Sequence, residues 1–227
     1  MKKKLVLLLV FGGLLITNSY AQVIIHGGIG GGYYGGGYYR GGYSRGGRRS
    51  QSNNRNKEPH FDPVVYLSLG YGFPNVDAYQ FTNDYYNGLY KGSVSQTGPF
   101  TGSIDYRYNR YNSIGVLATY GKVGVPYYDI NSSSYQGNVN LETWSVMLNI
   151  MQYAPLSNSA TMYFREALGA NINNTSYTGN IANYEPNAFA YQLGLGVKFK
   201  LTDNVSFFTE AGYGKYILHG GLSFAFK

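Results

Sequence analysis

Between Ala188 and Leu201 the chain alternates without interruption. Phe189, Tyr191, Leu193, Leu195, Val197, Phe199 and Leu201 stand against Ala188, Ala190, Gln192, Gly194, Gly196, Lys198 and Lys200. A two-residue period puts the bulky apolar set on one face of a strand and the small or polar set on the other. At roughly 3.3 Å per residue and tilted, such a strand is long enough to cross the hydrocarbon core of a bilayer. The same alternation recurs over 64–73, 99–109, 113–121, 141–153, 161–172, 205–214 and 217–227, which with the first stretch makes eight strands. Glu166 is the misfit, falling on the apolar face of its stretch; a bulge that shifts the register, or a position at headgroup level, would accommodate it.

The connections carry a pattern of their own. Residues 74–98, 122–140 and 173–187 read as long polar loops, whereas the links after the second, fourth and sixth strands are short turns. An even strand number with long and short connections in alternation is how membrane barrels place long loops outside and short turns in the periplasm. With that orientation the aromatics fall at two levels. Tyr71, Phe73, Phe100, Tyr120, Trp144, Phe189, Tyr191 and Tyr213 lie at the outer ends of strands, and Tyr106, Tyr108, Phe164, Phe199, Phe207, Phe224 and Phe226 at the inner ends. Two aromatic girdles are expected of strands that cross both interfaces of a bilayer. The fold class predicted is therefore all-β, an eight-stranded antiparallel up-and-down transmembrane β-barrel.

The face opposite the bulky one decides between lipid and a soluble core. It is made of Gly, Ser, Ala and Asn with isolated charges of both signs, which suits the crowded interior of a narrow barrel. A soluble lipocalin-like barrel or sandwich would show water more Lys, Glu and Thr. On this assignment Asp105, Arg107, Arg165, Lys198 and Glu210 form a luminal charge network, with Glu210 opposite Gly196 and near enough to Lys198 to pair with it. Met147, Leu117 and Phe208 help fill the lumen, since eight strands leave room only for side chains. The structural plug stands against a narrow ion-conducting path as its alternative.

Composition adds a compartment. The chain of 227 residues has 32 Gly, 26 Tyr, one Trp and no Cys, with 13% charged residues. Lys2, Lys3 and Lys4 precede an apolar run from Leu5 to Ile16 and a small-x-small triplet, Ser19-Tyr20-Ala21, which reads as a signal peptide (1–21) cleaved after Ala21. Residues 22–60 follow as a Gly/Tyr/Arg-rich linker with almost no aliphatic content, expected to be disordered and periplasmic. It holds Arg40, Arg45, Arg48, Arg49, Arg55 and Lys57 against Glu58, while 61–227 holds nine Lys or Arg against ten Asp or Glu. The basic excess of the secreted chain thus sits in the linker. Its Arg-Gly-Gly pattern resembles RNA-binding segments, but behind a signal peptide no nucleic acid is expected as a partner. Gly30, Gly32 and Gly35 match a dinucleotide fingerprint in spacing alone, with no helix following.

At the closing strands, SFFTEAGYG with Glu210 inward and Tyr213 outward, and the terminal GLSFAFK, resemble the small outer membrane barrels of the OmpA/OmpX-like, opacity-protein-like superfamily. The resemblance implies an integral protein of the Gram-negative cell outer membrane over residues 61–227. Outer membrane lipids, lipopolysaccharide and the barrel assembly machinery are then its partners, and a monomer is expected. Lys227 after Phe226 departs from the terminal aromatic of many relatives.

Such barrels serve envelope integrity, adhesion or lipid A modification, so the fold does not choose among them. The lipid A deacylases of the superfamily use a His-x-Ser pair with a downstream Glu. Here His219 is followed by Gly220 and Gly221, with Ser223 four residues on and Glu210 upstream, which does not match and leaves His219 as a loop or interface residue. His26, His60 and His219 are dispersed and no Cys exists, so no metal, cofactor or catalytic set is expected. The reading is a structural or surface-interaction role, with loops 74–98 and 122–140, rich in Tyr, Asn, Asp and Ser, as the surface for an extracellular ligand.

Overall fold

The computed structural model describes residues 61–81, 85–86, 88–179 and 186–227; the cleavage site expected at Ala21, the 22–60 linker, His26 and His60 lie outside them. The strands are β1 (Val64–Asn75), β2 (Tyr85–Tyr86), β3 (Leu89–Lys91), β4 (Ser95–Arg107), β5 (Asn112–Asp129), β6 (Tyr135–Pro155), β7 (Ala160–Gly179), β8 (Phe189–Lys200), β9 (Val205–Tyr213) and β10 (Tyr216–Phe226). Eight of them close a ring in the order β1-β4-β5-β6-β7-β8-β9-β10, with β10 pairing β1 and every neighbour antiparallel. Closure leaves no unpaired edge through the barrel wall, the condition for a sheet to sit in hydrocarbon.

The ring is inside-out relative to a soluble barrel. Leu69, Ile104, Val116, Leu148 and Leu195 are exposed on its outside, while Ser103, Asp105, Ser145, Asn149, Arg165, Gln192 and Glu210 are buried within. An apolar belt on this scale belongs against lipid, not water. Four-residue turns, 108–111, 156–159 and 201–204, join strands at one end of the barrel; this is the short-turn end. At the opposite end lie the 3-10 turn Val76–Gln80, the small β2–β3 hairpin and the β5–β6 hairpin.

The wall is uneven in height. β5, β6 and β7 run 18, 21 and 20 residues, against 12 and 9 for β8 and β9. The stretch 122–140, read as a loop, is strand over 122–129 and 135–140, and 173–179 is strand as well. The physical reason is a phase inversion. Within the barrel, even positions of β5 and β6 (Ile114, Val116, Trp144, Val146, Leu148) face outward and are exposed. Beyond Gly121 the apolar residues switch to odd positions, Val123, Val125, Tyr127, Val139 and Leu141, all buried, while Lys122 and Glu142 take the outer face and pair with each other. The register continues unbroken through the switch, from Asn112↔Gln152 to Tyr127↔Gly137. The strands thus leave hydrocarbon at that level and enter water, where an apolar exterior is no longer favoured. The buried odd face is covered by Phe81, Ala78, Leu89 and Val94 of the first connection.

Glu166 needs no bulge. β7 pairs in continuous register with β6 and β8, placing Glu166 beside Ile150 and Leu193 on the outer face. Glu166→Leu is expected to raise unfolding stability by about 1 kcal/mol, since an acid on the lipid-facing side is unfavourable though less so than a base. Urea titration in lipid vesicles checks it.

Candidate functional site

The small face of β8 organises the lumen. Gly194 and Gly196 present no side chains, and a Cβ at Gly194 would meet the Glu210 carboxyl, one at Gly196 the Tyr163 ring. The bare backbone forms a trough across which Arg165 of β7 reaches Glu210 of β9, with the Tyr163 ring lying over Gly196. Arg165 Nε donates to Glu210 Oε2 at 2.9 Å, and Tyr216 Oη donates to Oε1 at 2.9 Å. Both charged side chains are buried to within a few per cent of full enclosure. Gly196 lies opposite Glu210, yet Glu210 pairs with Arg165 and not with Lys198. Lys198 sits one rung toward the short-turn end and points along the lumen, donating to Ser223 Oγ at 3.1 Å.

Asp105 occupies a separate layer, accepting from Ser103 Oγ at 2.7 Å and from the Asn149 amide. Arg107, on the same face two residues on, lies 4.2 Å over the Tyr153 ring and donates to the Arg110 carbonyl. The five expected luminal charges therefore separate into a Glu210–Arg165 pair, a neutral-bonded Asp105 and two cations toward the short-turn mouth. Apolar layers alternate with them: Leu117, Met147, Ala167 and Ala190 in one, Met151, Tyr153, Tyr163 and Phe208 in another.

His219 is neither in a loop nor at an interface. It lies in β10 opposite Glu210, buried in the lumen, with Nε2 2.6 Å from Thr101 Oγ1 and its ring between Phe208 and Tyr216. The period that sends Leu218 and Leu222 outward sends His219 inward. It has no carboxylate hydrogen bond, and the Nδ1 atom is unpartnered, so Thr101, His219 and Glu210 do not form a relay. Among the described residues no group of His, Cys, Asp and Glu could hold a metal.

The end opposite the short turns is closed by a lid that the sequence did not disclose. Asn75 caps the 3-10 turn by accepting from the Asp77 N–H, and Asp77 receives Lys215 Nζ on both carboxylate oxygens at 2.7 Å. Lys215 Nζ also reaches Asn171 Oδ1 at 3.2 Å. Gln192 holds the two-residue turn that carries Lys215, accepting from its N–H at 2.7 Å. Gln80 donates to Asp77 and accepts from the Asn187 N–H, drawing β7–β8 connection and lid together.

Outward-facing aromatics occupy both halves of the barrel. Tyr71, Phe73, Phe100, Trp144, Phe189 and Tyr213 are exposed, with Tyr120 and Tyr191 half-buried, on the lid half. Tyr71, Phe100, Tyr120 and Trp144 follow one another as cross-strand partners, with Tyr71–Phe100 centroids 5.2 Å apart and Tyr120–Trp144 4.6 Å. On the other half Tyr106, Phe199, Phe207 and Phe226 are exposed and Phe164 and Phe224 half-buried, with Tyr108 exposed in the first short turn. Above the inversion level a second aromatic group stands on the extension. Tyr90 stacks on Tyr128 at 5.4 Å, and Tyr128 meets Tyr135 edge-on at 5.9 Å. At the tip, Asp129 accepts from the N–H groups of Ser132 and Asn131, which hold its carboxyl below the usual range.

No family model matches the sequence, and no curated protein matches it. Among solved structures, the chain is similar to the attachment invasion locus protein Ail of Yersinia pestis in complex with the heparin analogue sucrose octasulfate, at 15% identity and a TM-score of 0.39, covering 73% of this chain and 100% of that one. A second structure of Ail gives 13% identity, a TM-score of 0.36 and coverage of 72% and 97%. A de novo designed transmembrane β-barrel gives 16%, 0.36, and coverage of 72% and 94%. At these identities and TM-scores nothing about ligand or activity comes with the likeness.

Proposed function

We propose that the chain is an integral outer membrane barrel whose β5–β6–β7 extension is a surface-interaction platform of the adhesion type. The observation that carries this reading is the phase inversion: the extension has a covered apolar core of its own, so it is a built element held clear of the bilayer. Its outer face offers Lys122, Glu142 and the Tyr90–Tyr128–Tyr135 group, a mixture of rigid aromatic surface and charge suited to binding. Together with the lid, which comes from the 74–98 connection, it is the surface for an extracellular ligand. The lid end then faces outward and the short turns face the periplasm, the compartment assigned to the 22–60 linker as well. The outward aromatics serve as interfacial girdles, against outer membrane lipid and lipopolysaccharide.

The lumen acts as a structural plug. Glu210, Arg165 and the apolar layers fill it. Insertion by the barrel assembly machinery and a monomeric state complete the reading. Replacing 124–138 with an Asn-Gly turn is expected to leave the boiled-versus-unboiled gel shift intact, because the barrel ring is untouched, while reducing attachment of expressing cells to host-cell or matrix surfaces by about tenfold. Unchanged attachment would remove the adhesion role and leave envelope integrity.

A further inference from the structure

At the short-turn end the lumen opens into a cavity of about 330 Å³, lined among others by Phe61, Tyr66, Arg107, Tyr153 and Lys198. Two cations face it. Lys198 Nζ has Ser223 Oγ as its hydrogen-bond partner and lies 4.2 Å from the Tyr66 ring centre. Arg107 lies between the rings of Tyr153 and Phe61, at 4.2 and 5.3 Å, and its Nε, though buried, has no partner.

The charge balance makes this layer unlike the others. Arg165 is matched by Glu210 and Lys215 by Asp77, and on the rim Lys200 is matched by Asp203 at 2.6 Å. Asp62 and Asp203 line the same cavity, and Asp105 beside it has its oxygens engaged by Ser103 and Asn149; none of the three meets Arg107 or Lys198 in a salt bridge. Arg107 and Lys198 therefore both face the cavity between aromatic walls, with no salt bridge to either among the described residues. An enclosed cation gains from a counter-charge, and a guanidinium beside an ammonium is a donor set for an oxyanion.

We propose that this cavity binds a small oxyanion ligand, a carboxylate or phosphate group carried on a body of about sugar size, entering from the short-turn side. Arg107 and Lys198 hold the anionic group, and Phe61, Tyr66 and Tyr153 pack on the body behind it. The site is independent of the outer platform and of which compartment the short turns face.

Calorimetric titration of the folded protein in a non-ionic, phosphate-free detergent tests it, with inorganic phosphate, glucuronate and glucose as probes. Saturable binding of phosphate or glucuronate, and none of glucose, is the expected result; glucuronate binding alone identifies a sugar acid, and binding of both identifies the oxyanion as the recognised group. Lys198→Met and Arg107→Gln each weaken it by at least about tenfold, whereas Lys122→Gln, on the outer extension, leaves it unchanged. If Arg107→Gln fails to fold, as its gel shift would reveal, the wild-type and Lys198→Met titrations decide. Absence of saturable heat with both anions up to about 50 mM, or wild-type affinity in Lys198→Met, overturns the proposal.

Discussion

Glu210→Ala is expected to destabilise the barrel by about 3–5 kcal/mol, because it leaves the enclosed Arg165 guanidinium without its salt-bridge partner. The loss has two components on the structure. Arg165 loses its salt-bridge partner, and Tyr216 loses the acceptor for its hydroxyl. The trough over Gly194 and Gly196 is also emptied, since the Glu210 side chain lies against Gly194. The paired replacement Arg165→Met with Glu210→Leu is expected to recover most of the stability, because two apolar side chains of similar volume need no partner. Urea unfolding in vesicles, followed through the single Trp144, measures both; a Glu210→Ala variant as stable as the wild type would mean that the pair is hydrated and the lumen open. The same closed lumen is expected to show no discrete conductance in planar bilayers.

Asp77→Ala is expected to cost about 3 kcal/mol and to act locally. Asp77 is the only salt-bridge partner of the buried Lys215 among the described residues, and it anchors the 3-10 turn that covers the Val123–Val125–Leu141 cluster. Its removal frees the lid while the eight-stranded ring stays closed. Protease added to the folded protein should then cleave within 74–98 far faster than in the wild type, while the gel shift is retained. Equal cleavage rates would show that the lid is held by apolar packing alone.

Much of this was legible in the chain, and what was not has identifiable causes. The eight barrel strands follow from strict alternation, because lipid outside and packed lumen inside impose opposite demands on adjacent residues. The inward direction of Asp105, Arg165 and Glu210 follows from the same parity. Which charge meets which does not: the Glu210–Arg165 pair depends on two glycines of the intervening strand, whereas pairing rules for adjacent strands favour Lys198. The extension is harder to see in the sequence, since Gly121, Gly124, Pro126 and Gly137 fall within it and its apolar period changes phase. That change of phase was the available signal. Val123, Val125 and Tyr127 still alternate, shifted by one from Ile114, Val116 and Tyr120, and an inverted period across an unbroken register marks the exit from a bilayer. The lid depends on Asp77 and Lys215, 138 residues apart in sequence, and no local pattern announces such a contact. His219 lies in the lumen, not in a loop or at an interface, and its parity with Leu218 and Leu222 is the signal in the sequence that points it inward.

The orientation of the barrel across the outer membrane is the central claim, and the absence of cysteine from the sequence makes it directly measurable. Single cysteines are introduced at Ser132, in the tip of the β5–β6 hairpin, and at Asn204, in the β8–β9 turn, and intact cells are treated with a membrane-impermeant maleimide. Labelling of the Ser132→Cys protein on intact cells, with Asn204→Cys labelled only after the outer membrane is permeabilised, is the predicted result. Equal labelling of both on intact cells, or labelling of Asn204→Cys alone, would contradict a barrel that spans the membrane with its hairpin outside.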